Sequence, residues 1–161
     1  MYIGSCVTEE TLNDNLMITE KSMNNQQIFN AVLVSLDVQG GPARGDAGQC
    51  QYKTEEGLSC AVGCLLSDDF STEGFEEQNV EDLVHSLQRE GIYKEVMLGI
   101  DPTPVTLKLL RGLQTAHDEN RHYKKGVWVD KFYEAMETVA RNNGLTYNEK
   151  LLLTREERMY L

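Results

Sequence analysis

Apolar residues recur every three to four positions in four segments of this chain, which is the spacing of one buried helix face. The first segment, NNQQIFNAVLVSLDVQGG, starts with Asn24 and Gln27, a pair typical of a capping box, and Gly40 can close it. The second, NVEDLVHSLQREG, has an asparagine cap, two acids in its first turn and an arginine in its last. Both segments are therefore predicted to be helices.

The third segment, PTPVTLKLLRGLQTAHDEN, offers Thr103 as a cap and Pro104 at the first helical position. The fourth, WVDKFYEAMETVARNNG, stops at Gly144. Between the first two helices, QCQYKTEEGLSC is typical of two short strands around a Glu-Glu-Gly turn. The following CAVGCLLSDDF suits a short buried helix, although its pattern does not exclude a buried strand.

These patterns predict a mainly helical α+β protein, with about four to five helices around one core and a small two-stranded hairpin. Residues 1–23 are polar and are expected to form a loosely attached arm, whereas 24–161 are expected to form one globular domain.

Charge narrows the classes of partner. The 161 residues include 26 acids and 15 bases, giving a net charge of −11. Such a chain repels a phosphate backbone, so direct nucleic-acid binding is not expected, while a protein with a basic surface is a suitable partner. No apolar run is long enough for a membrane span, and no signal-peptide pattern is present, so a cytoplasmic location is expected. In a reducing cytoplasm the four cysteines are expected to be thiols.

Cys60 lies where the predicted hairpin ends and a helix can begin, a position that can activate a thiolate. With His117 as base and Asp118 to orient it, Cys60 could serve a cysteine-dependent hydrolase or transferase. Two features oppose this reading. The neighbours of Cys60 are apolar, and adjacent side chains on a helix point about 100° apart, so Asp118 is not expected to reach His117.

The same cysteines allow a zinc-supported binding module. On a helix, Cys60 and Cys64 share one face, and Cys50 and His117 could complete four ligands. The chain lacks paired ligands at the spacing of known zinc motifs, and buried thiols commonly serve as small apolar side chains. No cofactor is otherwise predicted.

The segment 67–82 carries seven acids and no base. It is expected to form an acidic loop that leads into the second helix. Carboxylates around two phenylalanines could dock on a basic protein patch and speed association. The predicted contact residues are Asp68, Asp69, Phe70, Glu73, Phe75, Glu76 and Glu77.

Three motifs occur in one order: C-x-Y in CQYK, G-L-x-C-A-V-G in GLSCAVG, and L-Q-x-x-H-D in LQTAHD. In this combination the chain resembles a group of small, largely uncharacterised proteins of tailed bacteriophages and prophages, over residues 24–120. The resemblance implies a phage origin and a setting in the host cytoplasm, and it groups Cys50, Cys60 and His117. Together with the acidic segment, it leads us to expect an accessory protein that binds and modulates a host or defence protein, with inhibition as the favoured mode.

Overall fold

The computed structural model describes residues 22–120, 123–124 and 126–161, so the predicted arm lies outside the described residues up to residue 21. Six α-helices occur within these ranges: α1 (Asn25–Gln39), α2 (Val80–Arg89), α3 (Tyr93–Val96), α4 (Pro104–Glu119), α5 (Asp130–Asn142) and α6 (Arg155–Arg158). Single 3₁₀ turns occupy Gly63–Leu65 and Glu149–Leu151. None of the helices in the described ranges is long and apolar enough to cross a membrane.

The four long helices confirm the mainly helical fold, and their ends follow the predicted caps. Asn24 and Gln27 form the reciprocal capping box, with the Gln27 N–H donating to Asn24 Oδ1 at 2.8 Å. Gly40 ends α1 with φ at 72°, a left-handed conformation that favours glycine. Thr103 accepts a hydrogen bond from the Thr106 N–H at the start of α4.

Helix α4 lies at the centre of the fold, because α1, α2 and α5 all pack against it. The core draws on all four long helices and on the segment between α1 and α2. Its largest fully buried side chains include Phe29, Leu33, Leu87, Leu109, Leu113, Phe132 and Met136. Trp128 closes the core beside α5, where its indole stacks on Phe132 with ring centroids 4.0 Å apart.

The two-stranded hairpin is present, but at a different place from the predicted one. Strands β1 (Tyr123–Lys124) and β2 (Val127–Trp128) pair antiparallel after α4. In the predicted position, Lys53 and Ser59 form only an isolated bridge. Two backbone hydrogen bonds flank this bridge, from the Cys60 N–H to the Tyr52 carbonyl and from the Thr54 N–H to the Leu58 carbonyl. The pairing ends at Tyr52, because its N–H donates to the Glu76 carboxylate instead. On the outer side of the bridge, the Ser59 N–H donates to the Gln39 amide oxygen.

Both ends of the described chain are tied to the core. Met23, which the sequence assigns to the arm, packs against the core and donates its N–H to the Gly99 carbonyl at 2.6 Å. At the other end, fully buried Asp37 of α1 accepts hydrogen bonds from the Leu153 N–H and from the guanidinium of Arg158. The C-terminal segment is thereby fastened across α1.

Candidate functional site

A cleft of about 380 Å³ opens between the start of α2 and the side of α4. Three carboxylates and one guanidinium line it, from Glu76, Glu81, Asp118 and Arg111. The single base is already paired, because Arg111 Nε lies 2.7 Å from the Glu81 carboxylate. Cys50 contributes a half-buried thiol to the same wall. The cleft is therefore acidic, and it contains one of the sulfurs that the sequence singles out.

His117 lies behind this wall, fully buried, with both ring nitrogens hydrogen-bonded. The Ala43 N–H donates to its Nε2 at 3.1 Å, so the ring proton belongs on the other nitrogen. That nitrogen, Nδ1, lies 2.8 Å from Asp118 Oδ1 and donates to it. His117 thus connects the loop after α1 to the carboxylate in the cleft.

The expectation that Asp118 cannot reach His117 is wrong. Nδ1 is the ring nitrogen nearest the backbone, so a short neighbouring side chain can meet it even though the two residues diverge along the helix. Burial raises the pKa of the Asp118 carboxyl, but hydrogen bonds from His117, Gln114 and Cys50 outweigh burial and leave this pKa below its ordinary value. Asp118 is consequently an ionised carboxylate near neutral pH.

The loop that carries Cys50 is held against the end of α4. Arg44 pairs with Cys50 in an antiparallel bridge, and its guanidinium donates to the Asp118 carbonyl at 3.2 Å. These two contacts of Arg44 and the hydrogen bond from the Ala43 N–H to His117 bring Cys50, His117 and Asp118 close to one another. One potential ligand atom from each lies within 4.8 Å of the others.

Cys60 and Cys64 lie elsewhere, in disagreement with the predicted four-ligand metal site. The predicted helix is only the 3₁₀ turn Gly63–Leu65, and among the described residues neither of these sulfurs belongs to the group of ligand atoms around His117. Cys60 is fully buried, its sulfur accepts from the Gly63 N–H at 3.2 Å, and burial raises its thiol pKa far above the ordinary value. Burial also raises the pKa of Cys64 to about 12, and its thiol donates to the Ala61 carbonyl.

The predicted catalytic pair of Cys60 and His117 therefore lacks the properties of an activated nucleophile. Attack requires an accessible thiolate, whereas this thiol is buried and held protonated. The base requires a ring nitrogen that can take the thiol proton, whereas both His117 nitrogens already have partners.

The residues of the predicted contact surface divide into two groups. The exposed group comprises Asp68, Asp69, Glu73 and Glu77. The remaining side chains turn towards the protein. Phe70 and Phe75 pack against the core with ring centroids 5.4 Å apart, and Glu76 is half-buried, accepting from the Tyr52 N–H at 2.8 Å. The carboxylates are thus available to a partner, whereas the two aromatic rings serve mainly to fix the loop.

Gln114, the glutamine of the L-Q-x-x-H-D motif, joins the region of buried Cys60 to the cleft, a role that was not predicted from the sequence. Its Nε2 donates to Asp118 Oδ1 at 2.9 Å, and its Oε1 accepts from the Val62 N–H at 3.1 Å. Gln114 and Asp118 are four residues apart on α4, a spacing at which side chains on one helix face meet. Their four-residue spacing was therefore the signal in the sequence from which this contact could have been predicted.

The candidate site is therefore described by contacts within this chain alone. Comparisons with protein-family models, with curated proteins and with solved structures found nothing that matches this chain.

Proposed function

We propose that this protein acts by binding another protein, which inserts a basic segment into the acidic cleft. The position of Glu76 carries the proposal. This residue belongs to the acidic loop and also lines the cleft, so the loop and the cleft share one carboxylate. Lysine and arginine side chains complement this acidic loop and cleft in charge, and their long-range attraction speeds encounter.

The net charge of −11 supports a protein partner over nucleic acid, since the phosphate backbone would be repelled by the same carboxylates. Among the cleft-lining residues, only Arg111 is basic, and its pairing with Glu81 leaves little positive charge for an anionic ligand.

The resemblance to proteins of tailed bacteriophages supports a bacterial host protein as the partner. In this proposal the protein is a phage accessory protein of the host cytoplasm, and occupancy of the partner's basic segment inhibits a host or defence function. A binding role requires no catalytic group, in keeping with the burial of Cys60 and the engaged nitrogens of His117.

The proposal is tested by quantitative capture from a bacterial lysate with three forms of the full chain. The first form is the wild type. The second removes the exposed loop carboxylates through Asp68→Asn, Asp69→Asn, Glu73→Gln and Glu77→Gln. The control removes as many exposed carboxylates elsewhere, through Glu134→Gln, Glu137→Gln, Glu149→Gln and Glu156→Gln.

We expect a protein that is captured by the wild type and the control but lost from the loop variant, and that is released by added salt. An isolated oligo-lysine peptide should show the same order of affinity. Capture of the same proteins by all three forms would reject the acidic surface as the binding site.

A further inference from the structure

We propose that Cys50, His117 and Asp118 form a binding site for a divalent cation of the zinc class. The proposal concerns the wall of the cleft and does not depend on the protein partner proposed above. Its basis is the approach of a thiol, an imidazole and a carboxylate, each a metal-binding group, to within 4.8 Å of one another.

The mixture of donors selects the class of metal. A thiolate and an imidazole favour zinc and its neighbours among the transition metals, whereas magnesium and calcium prefer sites made of oxygen atoms. Three protein ligands leave a fourth tetrahedral position, as in zinc sites that also bind water or another molecule. Here that position would face the cleft, because Cys50 and Asp118 both line it.

The three groups are held in place before any metal binds. His117 and Asp118 are neighbours at the end of α4, and Gln114 fixes the carboxylate through its bond to Oδ1. The loop contributes Cys50 and is tied to the same helix end through Arg44 and Ala43. The cation can approach from the cleft, since the Asp118 side chain is 37% exposed while His117 is fully buried behind it.

Binding requires a defined rearrangement of protons. The Cys50 thiol loses its proton to solvent and binds as the thiolate. His117 now carries its proton on Nδ1, the nitrogen that faces Asp118, so this nitrogen must give up that proton to become a ligand. The ring stays neutral by taking a proton on Nε2, and one proton is released overall.

A proton on Nε2 has a structural consequence. It would point at the Ala43 N–H, which now donates to this nitrogen, so two donors would face each other and the bond would break. Metal binding is therefore predicted to detach Ala43 from His117 and loosen the loop that carries Cys50. The loss of the Ala43–His117 hydrogen bond is therefore a measurable change that accompanies metal binding and can be tested separately from it.

The first experiment titrates the purified full chain with Co²⁺ and then with Zn²⁺. We expect one equivalent of Co²⁺ with a thiolate-to-cobalt absorption band, which Zn²⁺ then displaces. Cys50→Ser should remove the band and weaken Zn²⁺ binding by roughly a hundredfold or more, because removing a ligand should cost at least as much as removing a hydrogen-bond partner of a ligand. Two controls, Cys64→Ser and Cys6→Ser, should bind as the wild type does; Cys6 is included because it lies outside the described residues.

The second experiment needs no variant, so it holds even if a substitution disturbs folding. Imidazole ¹⁵N shifts report which ring nitrogen carries the proton. Without metal we expect His117 protonated on Nδ1, and with Zn²⁺ we expect the proton on Nε2 together with a shift of the Ala43 amide resonance. An unchanged tautomer at saturating Zn²⁺, absence of Co²⁺ binding, or a thiolate band that survives in Cys50→Ser would each overturn the proposal.

Discussion

Replacement of Asp37 by alanine is predicted to release the C-terminal segment and to destabilise the whole fold. Asp37 is fully buried and accepts hydrogen bonds from the Tyr133 hydroxyl and the Leu153 N–H, each at 2.7 Å. It also pairs with the guanidinium of Arg158, which donates a second bond to the Asp37 carbonyl. Asp37→Ala therefore leaves a cation, a hydroxyl and an amide without their shared acceptor.

The magnitude follows from the burial of the two charges. Removing one partner of a buried ion pair costs about 3–5 kcal/mol, because the remaining charge is left uncompensated. The Arg158 side chain is 19% exposed, so water can partly rehydrate it. We therefore expect a loss of about 3 kcal/mol for Asp37→Ala, at the lower end of that range.

Urea unfolding measures the loss in stability, and amide hydrogen exchange locates it. Exchange at Leu153 should accelerate more than exchange in α4, because the Leu153 N–H donates directly to Asp37. Asp37→Asn is the matched control, since it keeps a carbonyl acceptor of the same size and should lose less stability. If Asp37→Ala costs less than about 1 kcal/mol, the value typical of a single neutral hydrogen bond, and Leu153 stays protected, the argument from the buried pair is refuted.

Three further predictions concern the site and its supports. Gly63→Ala should lower stability by at least about 1–3 kcal/mol in urea unfolding, because the new Cβ would lie 1.8 Å from the Tyr52 carbonyl oxygen; an unchanged midpoint would contradict this close approach. Native alkylation followed by peptide mass spectrometry should label Cys50 well before Cys60, which is fully buried with a raised thiol pKa, and equal labelling rates would show that Cys60 is accessible. For Asp118 the folded-state pKa is below its ordinary 3.8, so the folded chain binds fewer protons and stability rises with pH through that range. Asp118→Asn should therefore be less stable than wild type at pH 7, with a smaller difference at about pH 2; a difference that is constant with pH would argue against this linkage.

The helices were predictable because their signals are local. Asn24, Asn79 and Thr103 each cap the helix that follows within a few residues, and the apolar spacing needs only one turn of context. These caps and this spacing can be recognised without knowing any contact with the rest of the chain. The structure accordingly confirms a mainly helical fold with a small hairpin.

The position of the hairpin could not be predicted because distant side chains decide it. The residues around Tyr52 have strand-like composition, but Glu76 takes the Tyr52 N–H with which the pairing would continue, and Gln39 takes the outward-facing N–H of Ser59. Those two side chains lie 24 residues after Tyr52 and 20 residues before Ser59. The strand propensity of the segment itself cannot predict such distant contacts.

The grouping of residues in the candidate site also depends on contacts between residues that are far apart in the sequence. The sequence singles out Cys50, His117 and Asp118 but does not group these three, because only the fold brings the loop of Cys50 to the end of α4, through a bond between residues 74 positions apart, Ala43 and His117. The acidic loop was identified correctly as a loop, whereas the inward packing of Phe70 and Phe75 depends on the core beneath it.

The contacts of Gln39 bear on whether the strand-like segment around Ser59 can pair with another molecule. At the end of α1, its amide donates to the Ser59 carbonyl and accepts from the Ser59 N–H, with 2.9 Å and 2.8 Å between the paired atoms. These are the two groups that an added strand from another molecule would use. A single glutamine thus occupies the outer pairing edge of a strand-like segment at Ser59. Residues with strand propensity therefore lie near the cleft, but these backbone groups are already hydrogen-bonded and cannot act as a template for intermolecular β-pairing.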